Sequence, residues 1–244
     1  MRTIRHHVDA VLAVGQPLSL PEAAFAHLVR VLRLGVGDDF VLFNGDGFDY
    51  PARLVSVSKK TAEAQVLARQ AAAGESPLRT TLAQGIARGE KMDLILQKAT
   101  ELGVACIAPL LTERTEVKLE GERAEKKLQH WRGVLASACE QSGRARLPEL
   151  LAPQALDQVA GGERSTRRFL LDPNAGSSLA SLRLEDQSSL CLVIGPEGGL
   201  SARDLSLLRA AGFEGLRLGP RILRTETAGM AALAALNALY GDWR

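Results

Sequence analysis

From Leu78 onward, short apolar runs alternate with stretches of helical periodicity, and this alternation limits the possible folds more than any other feature of the chain. The runs are Thr80 to Ile86, Val104 to Leu111, Phe169 to Leu171, Leu190 to Ile194 and Leu216 to Leu218. Their length and continuity suit strands buried on both faces, where side chains need not alternate in polarity. Between the first two, Met92, Ile95, Leu96, Ala99 and Leu102 recur on one helical face, and Gly103 follows where a helix C-cap is expected. Strands separated by helices cannot pair as hairpins, so the pattern predicts an α/β fold with a parallel, doubly wound sheet.

The first 70 or so residues follow a different pattern. A short helical stretch places Phe25, Leu28, Val29 and Leu32 on one face, and strand-like runs follow at Phe40 to Phe43, Ala52 to Val57 and Ala62 to Leu67. Asn44-Gly45-Asp46-Gly47 and Ser58-Lys59-Lys60 supply turns between them, and hairpins this close predict a small β-barrel. Ala71 to Pro77 has the composition of a linker, although its three alanines equally suit the end of a strand. Two domains are therefore expected, 1–72 and 73–244.

Two loops in the second domain carry unusual chemistry. Val193-Ile194-Gly195-Pro196-Glu197-Gly198-Gly199 follows one apolar run, and Leu218-Gly219-Pro220-Arg221-Ile222-Leu223-Arg224-Thr225-Glu226-Thr227-Ala228 follows another. In an open α/β sheet ligands bind at the carboxyl ends of the strands, where both loops fall. Glycines let a ligand approach the backbone, but Pro196 has no N–H to donate and Glu197 adds a negative charge that repels polyphosphate. Neither G-x-x-x-x-G-K-[ST] nor G-x-G-x-x-G after a strand is present. A neutral or cationic ligand fits better, for example a nucleoside carrying a sulfonium. Gly-Pro and Gly-Gly also punctuate ordinary strand-to-helix turns, so the first loop taken alone leaves both readings open. In the second loop, Thr225 stands where a helix N-cap is expected, with Glu226 in the first turn, and capping accounts for both. Arg221 and Arg224 are not explained that way, and their planar guanidinium groups suit phosphate or base contacts.

Composition narrows the setting. The net charge of +2 means that any nucleic-acid site is a local patch rather than a global field. Cys106, Cys139 and Cys191 form no C-x-x-C pair, and His6, His7, His27 and His130 show no H-x-x-x-H spacing, so neither a disulfide framework nor a metal is expected. Val8 to Val14 is broken by Asp9 and ended by Gly15, which argues against an export signal, and Ala228 to Tyr240 is too short to cross a bilayer. A cytoplasmic protein without a membrane partner is expected.

Gln97 to Gly103, Glu140 to Arg144, Ile194 to Gly199 and Leu218 to Ala228 together resemble the RsmE family, bacterial 16S ribosomal RNA methyltransferases that make N3-methyluridine and belong to the SPOUT superfamily. The matching stretches occur in order over nearly the whole chain; Arg88, where the family commonly has Lys, and Pro220 are small departures. The resemblance implies a PUA-like β-barrel that binds RNA, followed by a SPOUT domain whose C-terminal part forms an α/β trefoil knot. It implies an S-adenosylmethionine site at Ile194, Gly195, Pro196, Glu197, Gly198, Gly199, Leu218, Gly219, Ile222, Leu223 and Thr227, with Ile194 and Leu223 against the adenine. Glu197 would favour the sulfonium or bond loop N–H groups.

The implied reaction is methylation of N3 of one uridine, U1498, in the 16S RNA of the small subunit. That nitrogen is largely protonated at neutral pH. Arg144 or Arg224 would stabilise the anion at O2 and O4, and Glu140 or Glu226 would take the proton if burial raised its pKa. Arg2, Arg5, Arg30, Arg33 and Arg53 are candidates for RNA phosphate contact, with Arg30 and Arg33 one helical turn apart, although any single one equally suits a solvated face. Aromatic residues are only 4% of the chain, which disfavours a base-stacking platform. The superfamily implies a homodimer, for which the Ala-rich C-terminal helix is a natural contact. Methylation of another RNA position, such as a transfer RNA ribose 2′-hydroxyl, and a non-catalytic ribosome-assembly factor are the competing readings.

Overall fold

The computed structural model describes residues 3–117, 119–185 and 188–243; Arg2, a candidate phosphate contact, lies outside the described residues. The chain forms two compact units, Met1–Glu75 with Ala136–Leu147, and Ser76–Leu135 with Pro148–Arg244.

The first unit contains β1 (Arg5–His7), β2 (Pro17–Ser19), α1 (Glu22–Phe25) running into a π-helical turn at Ala26–Val31, β3 (Asp39–Phe43), β4 (Phe48–Val57), β5 (Ala62–Val66) and β6 (Gln70–Ala71). The sheet order is β1-β3-β4-β5-β2, with β6 on β4; β1 lies parallel to β3 and the other pairs are antiparallel. Strict alternation in β5 turns Ala62, Ala64 and Val66 inward, where they meet Leu28, Leu42, Tyr50 and Leu54. Strand β4 begins four residues before the expected Ala52, because Pro51 is accommodated opposite Val41 rather than ending the pairing.

The helical turn closes with the Leu34 N–H on the Leu28 carbonyl at 3.0 Å and the Leu32 N–H on the His27 carbonyl at 2.9 Å. Between them Arg33 takes φ 59°, a left-handed position usually given to glycine at a helix end. This corrects the reading of Arg30 and Arg33 as neighbours on one helical face, since the helix is over before Arg33 is reached.

Residues 136–147 belong to this unit through Cys139 and Ala145, which are buried with Phe43. The stretch with a linker composition is also anchored there. Glu75 accepts from the Arg144 guanidinium at 2.9 Å and from the Arg146 N–H at 3.0 Å, and a Cβ on Gly74 would lie 2.9 Å from the Gly143 carbonyl oxygen.

The second unit runs β7 (Arg79–Gly85), α2 (Lys91–Glu101), β8 (Cys106–Leu111), α3 (Gly121–Ser142), β9 (Glu149–Leu150), β10 (Gln154–Ala155), α4 (Leu156–Gly162), β11 (Arg167–Leu171), β12 (Ser189–Ile194), α5 (Ala202–Ala210), β13 (Glu214–Leu216) and α6 (Thr225–Tyr240), with the last turns of α3 in the first unit. The strand order is β10-β8-β7-β12-β11-β13, with β9 on β8, and every pair is parallel, as the alternating pattern predicts. Central strands are buried on both faces. Leu82 and Leu192 enter a core with Met92, Ile95 and Leu96 of α2 and Leu233 and Leu236 of α6. Their neighbours Ala83 and Val193 face the other way, toward Leu156, Val159 and Leu208 of α4 and α5. Each fully buried aliphatic side chain contributes roughly 1.5–3 kcal/mol, which explains why the continuous apolar runs became the middle of the sheet. No helix among the described residues is long and apolar enough to cross a membrane.

Strand β13 ends at Leu216, two residues before the end of the apolar run that predicted it. Gly219, at φ 96°, turns the chain away and leaves 217–223 as loop. Because β11 lies between β12 and β13, the two loops flank the end of a third strand.

Candidate functional site

Strand β12 delivers Ile194, 3% exposed, to the sheet edge, and the chain then folds back so tightly that a Cβ on Gly195 would lie 2.8 Å from the Gly199 carbonyl carbon. Only glycine fits there. Next to it, a Cβ on Gly85 at the end of β7 would lie 2.5 Å from the Pro196 nitrogen, so the proline ring seats directly on the neighbouring strand.

The second loop is tied to the first by one side chain. The Thr225 hydroxyl donates to the Gly195 carbonyl at 2.6 Å and accepts from Gln84 Nε2 at 2.9 Å. Gln84 is completely buried at the end of β7, and its Nε2 also donates to the Gly85 carbonyl at 2.9 Å. The expected role of Thr225 as helix N-cap is corrected here. The cap position is Arg224, no side chain caps the helix, and the Thr225 hydroxyl latches the two loops instead.

Glu197 bridges the loop that carries it to the segment after β7. Its Oε1 accepts from the Arg88 N–H at 3.1 Å and from Lys91 Nζ at 3.3 Å. Burial pushes its pKa up, but the Arg88 N–H, its own backbone N–H and the Lys91 ammonium outweigh that and hold it below the ordinary carboxylate range. It is therefore an anion that ties the end of β7 to the loop after β12. On the far side of Gly198, whose carbonyl accepts from Arg114 Nη1 at 2.8 Å, the loop faces outward.

Together these segments enclose a cavity of about 540 Å³. Of the residues expected to hold a ligand, Ile194, Gly195, Pro196, Glu197, Gly199, Leu218, Gly219, Ile222 and Leu223 line it, as do Arg224 and Glu226; Gly198 and Thr227 do not. Ile222 is 85% exposed, an unusual position for an isoleucine. Glu226 Oε2 is buried without a hydrogen-bond partner, a costly condition for a carboxylate and one that a donor on a bound ligand would relieve.

The sequence reading missed the third wall, Leu171 at the end of β11 with Asp172, Pro173 and Asn174 beyond it. Asp172, 6% exposed, is fixed by Arg209 at 3.0 Å and by the Asn174 N–H at 2.9 Å. A signal was present, since a carboxylate directly after an apolar strand sits at the ligand edge of such a sheet.

Other candidates belong to the first unit and are engaged there. Arg144 is 4% exposed and bonded to Glu75, so its guanidinium is committed to an internal ion pair. Glu140 Oε1 accepts from the His7 N–H at 3.0 Å and contacts His6 Nδ1 at 2.7 Å. Burial raises its pKa, but these partners more than reverse the effect, and the net shift is downward. The condition attached to Glu140 as a base, a pKa raised by burial, is not met. Arg5 is also corrected as a phosphate contact: it is 10% exposed, paired with Asp49 at 2.5 Å and bonded to the Arg144 carbonyl. Arg53 is exposed but paired bidentately with Asp39 at 2.6 and 2.9 Å, whereas Arg30 and Arg33 reach solvent. The cysteines are unreactive in character, with burial pushing the thiols of Cys106 up to about 11 and Cys139 up to about 12, and Cys191 further in the same direction.

An RNA methyltransferase domain family matches residues 74–237, and an RNA methyltransferase PUA domain family matches residues 20–67. A protein from Legionella pneumophila, solved in complex with S-adenosylmethionine, is 40% identical and covers 99% of this chain and 100% of its own, with a TM-score of 0.95. A ribosomal RNA small subunit methyltransferase E from Neisseria gonorrhoeae, also bound to S-adenosylmethionine, is 36% identical over 100% of both chains, with a TM-score of 0.92. The protein of the same name from Buchnera aphidicola is 33% identical over 99% of this chain and 98% of its own.

Proposed function

Because the chain belongs to the ribosomal RNA small subunit methyltransferase E family, we propose that it is the S-adenosylmethionine-dependent enzyme that methylates N3 of a specific uridine in 16S ribosomal RNA. The observation that carries this reading is the pair of loops latched by Thr225 around one cavity on the ligand edge of a parallel sheet.

The residues present suit the cofactor. The cavity of about 540 Å³ is in the range of small-molecule sites, and its floor and sides are apolar at Ile194, Leu218 and Leu223, as an adenine requires. Gly195, Gly199, Gly219 and Ile222 would approach it through backbone, while Pro196 and Glu197 hold the loop's shape and Gly198 and Thr227 support the loop and the helix start. S-adenosylmethionine, when bound, supplies a sulfonium methyl group. Glu197 stays ionised beside the cavity and favours that positive charge.

This chain's own groups must deal with the N3 proton and the charge its loss creates. Glu226, with an unpartnered buried oxygen on the cavity wall, takes the proton from N3. Arg224, exposed at the cavity rim, offers N–H donors to O2 or O4 as negative charge spreads there. Arg144 and Glu140 act in the first unit as structural groups. Arg30 and Arg33 are the phosphate contacts of that unit. The enzyme works in the cytoplasm on the small ribosomal subunit as a homodimer, with exposed Leu239 and Trp243 near the end of α6 at the subunit contact.

Mass spectrometry of 16S RNA from a strain lacking the gene, with and without its restoration, tests the assignment; an unchanged methylation pattern sinks it. Glu226→Gln with methyl transfer and its pH profile intact removes Glu226 as the base. Sedimentation of an active monomer removes the dimer.

A further inference from the structure

Three ligand atoms from separate elements converge in the first unit. His6 Nδ1, from β1, lies 2.7 Å from Glu140 Oε1 and 3.1 Å from His27 Nδ1, which comes from the π-helical turn. All three ligand atoms fall within 4.8 Å of one another, and the His6 and Glu140 side chains are only 12% and 16% exposed. The imidazole rings are tilted by 57° with centroids 5.0 Å apart, so they point their nitrogens together rather than stack. The His7 N–H fixes Glu140 Oε1 from behind at 3.0 Å.

His6 Nδ1 cannot make both of its contacts as separate hydrogen bonds. If His6 Nδ1 carries a proton, Glu140 takes it and the His27 lone pair faces an N–H already used. If His27 Nδ1 is protonated as well, two N–H groups meet head to head. One proton thus serves three convergent atoms, whereas a cation uses all three lone pairs at once. With metal–ligand bonds of about 2.0–2.1 Å, tetrahedral ligand atoms sit roughly 3.3–3.4 Å apart. The 3.1 Å separation of the imidazole nitrogens is within a few tenths of an ångström of that spacing. The His6–Glu140 separation of 2.7 Å needs to open by roughly half an ångström.

We propose that His6, His27 and Glu140 bind a divalent transition-metal ion in a site that clips β1, the π-helical turn and the 136–147 segment together. Two imidazoles and one carboxylate match Zn²⁺, and they exclude the all-oxygen preference of Mg²⁺ and Ca²⁺. A water completes the fourth position. The site lies within one unit and stabilises it, and it takes no part in methyl transfer. The absence of helical ligand spacing in the sequence does not bear on it, because its ligands come from three different elements.

The test uses the full-length chain without a histidine tag, stripped by chelator and titrated with Co²⁺ as a visible probe. One Co²⁺ per chain, with the absorption of low-coordinate nitrogen and oxygen ligation and displacement by Zn²⁺, is the expected result. His27→Gln, which keeps a polar side chain, should lower the affinity by more than about 100-fold, the upper end of the cost of losing an outer-shell partner. His130→Gln should leave it unchanged, and Zn²⁺ should raise the unfolding temperature of the parent chain but not of His27→Gln. His6→Asn provides a second variant should His27→Gln fold poorly. Failure of the parent chain to take up a stoichiometric ion, or uptake that survives both ligand substitutions, overturns the proposal.

Discussion

Thr225→Val preserves the shape of the side chain and deletes only the hydroxyl, so it isolates the bond that joins the second loop to the first. In the native chain that oxygen donates to the Gly195 carbonyl at 2.6 Å and accepts from Gln84 at 2.9 Å, within a residue 7% exposed. Valine leaves the carbonyl and one Gln84 N–H without partners. An orphaned buried group costs about 1–3 kcal/mol. Gln84 keeps its other bond, to the Gly85 carbonyl, and Gly195 is only half-buried, which together bring the expected loss to about 2 kcal/mol in urea unfolding. Because Gly195 opens the first loop of the cavity proposed to hold the cofactor, S-adenosylmethionine affinity measured by calorimetry should fall about tenfold, equivalent to about 1.4 kcal/mol. Thr225→Ser keeps the hydroxyl and loses only one buried methyl, so it should cost about 0.8 kcal/mol, less than the valine variant. A valine variant with unchanged unfolding midpoint and unchanged affinity would refute the latch.

Gly195→Ala forces a Cβ to 2.8 Å from the Gly199 backbone, so it should cost roughly 1–3 kcal/mol of stability and abolish measurable cofactor binding by calorimetry. Glu75→Gln leaves the Arg144 charge buried without its counter-ion; it should destabilise the protein by about 2 kcal/mol in denaturant unfolding, less than a fully buried pair because Glu75 is a quarter exposed. Glu197 has a folded-state pKa below its ordinary 4.5, so its stabilising effect is present above that value and is lost as pH falls through the depressed one. The stability gap between the parent and Glu197→Gln should therefore close on acidification below pH 4.5 and stay constant above it. Arg30→Ala should lower RNA affinity and reduce the slope of log affinity against log salt by about 1, while leaving cofactor binding unchanged.

Much of the second unit was legible because its information is local. The runs at Thr80 to Ile86 and Leu190 to Ile194 became adjacent central strands, and the Met92 to Leu102 face became the buried side of α2. The two loops that line the cavity could be found for the same reason, since a loop's position after a buried strand is a property of consecutive residues. Thr225 was misread because a hydroxyl at a helix start has a local explanation, capping, and its actual partners come from residues 30 and 141 positions away. Asp172 carried a local signal, its place directly after an apolar strand, but the Arg209 that fixes it lies 37 residues away. Arg144 and Arg5 looked like free cations because their counter-ions, Glu75 and Asp49, are remote in sequence.

The sequence by itself determined the class of fold, the two loops and the chemistry that favours a cationic nucleoside over a polyphosphate, because strand burial, helical period and loop charge act over neighbouring residues. Only the tertiary structure decided which charges are available and which are spent, and where donors meet. It placed β11 between the two loops and gave the cavity its third wall. It drew Ala136–Leu147 into the first unit, and so brought Glu140 to His6 and His27. The physical reason is the same in each case. Hydrogen bonds and ion pairs depend on distances of about 3 Å, and residues far apart along a chain reach such distances only when the whole core has closed around them.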